Sequence, residues 1–121
     1  MNSQEKQNHS LKNLSDCIKI LSADAVEVAK SGHPGMPLGF AQIMTLLTVE
    51  FLQFNPNDPK WFNRDRLVLS AGHGSMLLYS FFYLAGYKGF DLEDIKNFRQ
   101  LNSKAAGHPE HELFDAIETT T

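Results

Sequence analysis

Leu67-Val68-Leu69-Ser70-Ala71-Gly72-His73-Gly74-Ser75 reads as a short apolar strand, a glycine-framed turn and the first residue of a helix. Three aliphatic residues bounded by Arg64, Asp65 and Arg66 on one side and Gly72 on the other fit a buried strand. A strand that turns through glycine into a helix is the opening of an α/β sheet, whose ligands sit at the carboxyl ends of the strands. Backbone N–H groups at a helix start favour anions, and an imidazole there adds a donor, so Gly72-His73-Gly74 is a candidate phosphate turn. A plain tight turn whose histidine caps the helix fits the same residues, and the local pattern leaves both readings open.

Outward from this unit, the chain punctuates itself into helices. Residues 1–10 form a polar lead, expected to be disordered, and the domain is taken as residues 11–121. Ser10 is placed to cap a first helix, with Leu11, Leu14, Ile18, Leu21, Ala25 and Val28 on one face. Ser31-Gly32 and Pro34 end it. Pro37 suits the first turn of a second helix reaching about Leu52. Its polar positions (Gln42, Thr45, Thr48) form only a narrow stripe, which predicts burial around most of its circumference. Asn55-Pro56-Asn57-Asp58-Pro59 is a turn. Ser75 is placed to cap an almost wholly apolar helix from Met76 to Ala85, and Asp91 one near Leu92 to Gln100. Tyr79, Phe81, Phe82 and Tyr83 read as core packing. Glu118-Thr119-Thr120-Thr121 reads as the start of a second strand. A lone strand has no partner for its N–H and C=O groups, so the chain is expected to be the truncated opening of a larger parallel-sheet domain.

Three of the five histidines stand in glycine turns: Gly32-His33-Pro34-Gly35, Gly72-His73-Gly74 and Gly107-His108-Pro109. Proline holds the preceding His33 and His108 toward extended geometry. Imidazoles so held suit hydrogen bonding to sugar or phosphate and proton transfer near neutrality; solvated surface turns are the alternative. A three-histidine zinc site is weakly signalled, since no two ligands are close in sequence. His9 reads as incidental, His111 as a solvated loop residue beside Glu110 and Glu112, and Arg64-Asp65-Arg66 as an ion-paired brace.

Composition excludes several classes. With 121 residues, 42% hydrophobic and 21% charged, the chain is an ordinary globular domain. A net charge of −3 without a basic cluster argues against nucleic acid and membrane surfaces. No apolar run approaches the roughly 20 residues of a membrane span, and the polar first ten residues lack a signal-peptide core. Cys17 is the single cysteine, so no disulfide framework or thiolate metal site is read. The expected location is cytoplasmic.

The segment 29–37, Ala-Lys-Ser-Gly-His-Pro-Gly-Met-Pro, resembles the amino-terminal signature of transketolases. Asn63 to Ser75, Phe98-Arg99-Gln100-Leu101, Gly107-His108-Pro109-Glu110 and the Thr run at 119–121 follow in that family's order. The resemblance implies part of a thiamine-diphosphate-dependent enzyme that moves two-carbon ketol units between sugar phosphates in the pentose phosphate pathway. By that resemblance His33 and His108 bind the sugar and act in catalysis, and His73 approaches the cofactor's diphosphate. The family's homodimer and its Mg²⁺ or Ca²⁺ are implied for the whole enzyme. Met36, Ala71 and the stretch 111–117 depart from the family pattern. The metal motif and the glutamate that activates the aminopyrimidine lie beyond the residues matched, so no metal ligand is assigned. This chain alone is expected neither to hold the cofactor nor to be active. Two other readings are a non-catalytic truncated remnant and a small accessory domain that docks on another thiamine enzyme.

Overall fold

A computed structural model describes residues 2–121. Helix α1 (Ser3–Ala29) is the spine; α2 (Gly35–Leu46) and α3 (Met76–Leu84) pack on it and on each other, and the short α4 (Leu92–Lys96) touches α1 and α3.

The first helix opens earlier than the sequence suggests. Asn2, not Ser10, is its cap: the Asn2 side chain accepts the Glu5 N–H (2.8 Å), and Glu5 Oε2 accepts the Asn2 N–H (2.7 Å). This reciprocal box satisfies two donors that a helix start otherwise leaves orphaned, so residues 3–10 of the polar lead are helical although residues 2–10 are exposed, and Met1 lies outside the described residues. Ile18 and Ala25 of the expected face are buried, Leu11, Leu14 and Leu21 half-buried, and Val28 lies outside. The stop is made by Lys30 in the left-handed region (φ 52°), with Ser31 N–H returning to Val26 O at 3.3 Å. Gly32 serves a different need: at φ 126° its missing Cβ leaves room for Phe98, whose Cε1 would lie 2.8 Å away.

Helix α2 has Pro37 in its first turn and widens after Leu46 into a turn over Leu47–Phe51, where Leu52 N–H bonds Leu47 O at 2.8 Å. The burial expected around most of its circumference does not occur. Pro37, Ala41, Met44 and Thr45 are buried, whereas Leu38, Phe40, Ile43 and Leu46 are 41–50% exposed. An apolar circumference needs cover on several sides, and here α1 and α3 supply one.

The strand expected at Leu67–Leu69 does not form, nor does one at Glu118–Thr121; among the described residues there is no strand. Leu67, Val68 and Leu69 are half-buried, exposed and buried in turn, as a strand would be, but a ladder requires a neighbour. The segment is tied at its start instead, by Asp65 N–H to Gln53 O (2.7 Å) and Gln53 N–H to Asp65 Oδ2 (2.8 Å).

Helix α3 is buried from Met76 through Phe82. Phe82 lies at the centre of an aromatic cluster, its ring 5.2 Å from those of Tyr87 and Phe114 and 5.7 Å from that of Phe90. Edge-to-face contacts dominate, the geometry that brings a positive ring edge to a negative face. Tyr79, Phe81 and Phe82 thus pack as expected, with Tyr83 half-buried. The Asp91 cap of α4 is present, but the helix ends at Lys96 instead of near Gln100; Arg99 and Asn102 turn into the left-handed region (φ 60° and 64°).

Candidate functional site

The three glycine-framed histidines come from separate loops and meet. The rings of His33 and His73 lie edge to face with centroids 5.3 Å apart. His108 stands beside the same central turn: a Cβ on Gly72 would lie 3.0 Å from its Cδ2. All three residues are exposed.

Close backbone approach holds this arrangement. A Cβ on Gly74 would strike the Met36 side chain, with Cγ at 2.9 Å, so glycine lets the first turn of α2, just after His33, pack on the His73 turn. A Cβ on Gly72 would lie 2.5 Å from the carbonyl carbon of Thr121. The Thr121 N–H in turn bonds Pro109 O (3.1 Å), bringing the Thr run beside the His108 loop.

Ser75 does not cap α3. It has helical torsions and makes no cap bond; its buried hydroxyl donates across to Gly107 O at 2.8 Å. One helical turn on, Tyr79 OH donates to Ala106 O at 2.7 Å. Burial pushes the Tyr79 phenol well above its usual range, so it is a proton donor at any ordinary pH. These contacts, and the approach of Arg99 to Gly107, span the chain and leave no local sequence signal.

The Arg64-Asp65-Arg66 brace is present. Arg64 grips Glu118 through two bonds, Nε to Oε1 at 2.7 Å and Nη2 to Oε2 at 2.9 Å, and a third reaches Trp61 O. Donating these hydrogen bonds to Glu118 raises the Arg64 pKa further. His111 is more fixed than a solvated loop residue: its Nδ1–H donates to Ile117 O, and its N–H to Thr120 Oγ1 (3.0 Å). His9 lies exposed on α1, away from the cluster.

Among the described residues no group of three His, Cys, Asp or Glu is placed to hold a metal ion. The residues do fit one wall of an anion or sugar site. Near His33, the first N–H groups of α2, on Gly35 and Met36, precede the bond that Leu38 makes to Pro34 O (3.0 Å), and the space beside Gly35 is open for 4 Å. No helix among the described residues is long and apolar enough to cross a membrane.

The family model described as "Transketolase, thiamine diphosphate binding domain" matches residues 10–121. A transketolase from Nostoc sp. is 55% identical over 113 residues, covering 93% of this chain and 17% of that protein. A crystal structure of transketolase from Campylobacter jejuni superposes with TM-score 0.88 at 50% identity, over 100% of this chain and 18% of that one. The Pichia stipitis transketolase in complex with sedoheptulose-7-phosphate superposes with TM-score 0.85 at 50% identity, over 92% and 16%. This chain therefore spans about a sixth of the length of the curated relatives it matches.

Proposed function

Because the chain belongs to the transketolase family, matching its thiamine diphosphate binding domain, we propose that it forms one wall of the cofactor and sugar site of an enzyme that moves two-carbon ketol units between sugar phosphates. The convergence of His33, His73 and His108 on one exposed edge carries this reading. The Pichia relative's sugar phosphate ligand agrees with it.

Thiamine diphosphate, when bound, supplies the nucleophilic carbon that accepts the two-carbon unit. This chain's residues bind and move protons around it. His73, exposed in the turn just before α3, would donate a ring N–H to the diphosphate. His33 and His108 hydrogen-bond the sugar's hydroxyls and pass protons to and from them. The divalent ion that would neutralise the diphosphate is assigned, as the family resemblance implies, to motifs outside the residues matched here. Leu67 to Leu69 join a parallel sheet when a neighbouring strand is supplied. Homodimerisation, a place in the pentose phosphate pathway and a cytoplasmic location belong to the same reading.

Calorimetry tests the division of labour. The 121-residue chain titrated with thiamine diphosphate and Mg²⁺ shows no saturable heat; micromolar binding overturns the claim that the metal site lies elsewhere. In the cofactor-loaded enzyme, His73→Ala weakens thiamine diphosphate binding, and His108→Ala raises the KM of the donor ketose. The reverse pattern would reassign the two rings.

A further inference from the structure

Three consecutive carbonyls immediately before His108 are each taken by a donor from outside the loop. Ala105 O accepts the Arg99 N–H (2.8 Å), Ala106 O the Tyr79 hydroxyl (2.7 Å) and Gly107 O the Ser75 hydroxyl (2.8 Å). Just after it, Pro109 O accepts the Thr121 N–H (3.1 Å). The residue on each side of His108 is thus tied down through its carbonyl, while His108 itself is exposed.

Two of those donors stand on the element that follows His73. Ser75, the helical-torsion residue immediately before α3, and Tyr79 within it form an (i, i+4) pair that points the same way. Both residues are fully buried. Tyr79 is wedged between Phe90, stacked at 5.7 Å, and Phe98, at 6.3 Å, so its hydroxyl has little freedom. The Arg99 guanidinium supports the loop from another side: a Cβ on Gly107 would lie 3.0 Å from its Cζ. A serine opening a helix ordinarily caps that helix; here its hydroxyl is diverted to the neighbouring loop.

We propose that Ser75 and Tyr79 are positioning residues that hold the His108 loop in register with the His73 turn, so that the spacing of the two imidazoles is set by α3. The proposal rests on the substrate role given to His108 above. Neither hydroxyl touches the reacting atoms. Each acts through a carbonyl of the loop that carries the ring. Because imidazole placement fixes how well a donor meets the sugar, a shift of about 1 Å is enough to cost on the order of 10²-fold in rate.

The test uses Tyr79→Phe and Ser75→Ala in the cofactor-loaded enzyme, with Tyr87→Phe as control. Tyr87 lies in the same aromatic core, 5.2 Å from Phe82, and its hydroxyl makes no bond to the loop. Tyr79→Phe and Ser75→Ala are expected to lower kcat/KM for the donor ketose by about 10- to 100-fold, leave thiamine diphosphate affinity unchanged, and add nothing in a His108→Ala background. Tyr87→Phe leaves all of these unchanged. Losses additive to His108→Ala, an equal loss in Tyr87→Phe, or full activity in Tyr79→Phe overturns the proposal. If Ser75→Ala does not fold, Tyr79→Phe, which removes one oxygen, decides alone. If His108→Ala is itself silent, it is the substrate role that fails. The clamp is then read by the NMR signals of the His108 ring: a shift in Tyr79→Phe but not in Tyr87→Phe supports it, and an unmoved ring overturns it.

Discussion

His33 and His73 meet edge to face, with ring centroids 5.3 Å apart, although they stand on loops separated by all of α2. Gly74 makes room between them, since a side chain there would collide with Met36 in the first turn of α2. Two imidazoles at this distance can address neighbouring groups of one ligand, as a cofactor and its bound sugar would present. Removing His33 is therefore expected to act on turnover rather than on folding. In the cofactor-loaded enzyme, His33→Ala should lower kcat by about 10²–10³-fold, the usual effect of losing one transition-state donor, with thermal unfolding unchanged. Steady-state kinetics equal to those of the unaltered enzyme would reduce His33 to a solvated turn residue.

The glycines separate into those the structure requires and those it tolerates. A Cβ on Gly72 would meet backbone, the Thr121 carbonyl carbon at 2.5 Å and its oxygen at 2.8 Å, and backbone cannot rotate away. Gly39 lies within α2 with nothing inside 4 Å of its would-be Cβ. Gly72→Ala should lower stability by about 1–3 kcal/mol, the range for overpacking. Gly39→Ala should raise it by up to about 1 kcal/mol, as alanine replaces glycine in a helix interior. Urea denaturation of both variants checks the opposite signs; a neutral Gly72→Ala would show that the Thr run is not packed there.

Much of this was legible along the chain because it is local. Asp91 followed by acidic residues marks the cap of α4, and the spacing of Leu14, Ile18, Leu21 and Ala25 marks the buried face of α1. The failures have nonlocal causes. Leu67 to Leu69 carry a strand pattern, yet pairing depends on a neighbour that the described residues do not contain. Leu38, Phe40, Ile43 and Leu46 make α2 look wholly buried, yet burial depends on what covers it. In the candidate site the histidines were legible from their glycines. Ser75 and Tyr79 were not, because their partners Gly107 and Ala106 lie across the fold. The Asn2 cap differs: its Asn2–Glu5 box is local, but it sits in a segment whose polarity by itself suggests disorder.

Arg64 and Glu118 join the segment before the His73 turn to the Thr run after the His108 loop, and their side chains are only 11% and 15% exposed. Breaking one partner leaves the other charge poorly solvated, which is costlier than losing both. Glu118→Gln should therefore destabilise by about 3 kcal/mol, and Arg64→Met combined with Glu118→Leu by clearly less. Arg64→Lys should not restore the pair, because an ammonium cannot make the two parallel bonds of a guanidinium. Equal destabilisation by the single and double variants, measured by denaturant titration, would mean that the bridge is replaceable by solvent.

Alkaline pH offers a probe of the aromatic core. Burial first, and the Glu118 carboxylate second, push the Tyr87 phenol up to about 12, and burial raises Tyr79 as well. In the unfolded chain a tyrosine ionises near pH 10. A raised folded-state pKa means that the neutral form is the one the fold favours. Its contribution is fully present below about pH 10 and is lost as pH rises toward about 12, because the unfolded chain releases its protons first. For Tyr87 the loss amounts to about 3 kcal/mol over that span. Stability measured by urea titration should hold level up to about pH 10 and then fall, and Tyr87→Phe should make the fall shallower. Ultraviolet titration of the folded chain should show phenolate absorbance lagging behind that of the denatured chain. If the folded and denatured titrations coincided, the cluster around Phe82 would be open to solvent, contrary to the burial that holds α3 and its two hydroxyls beneath the His108 loop.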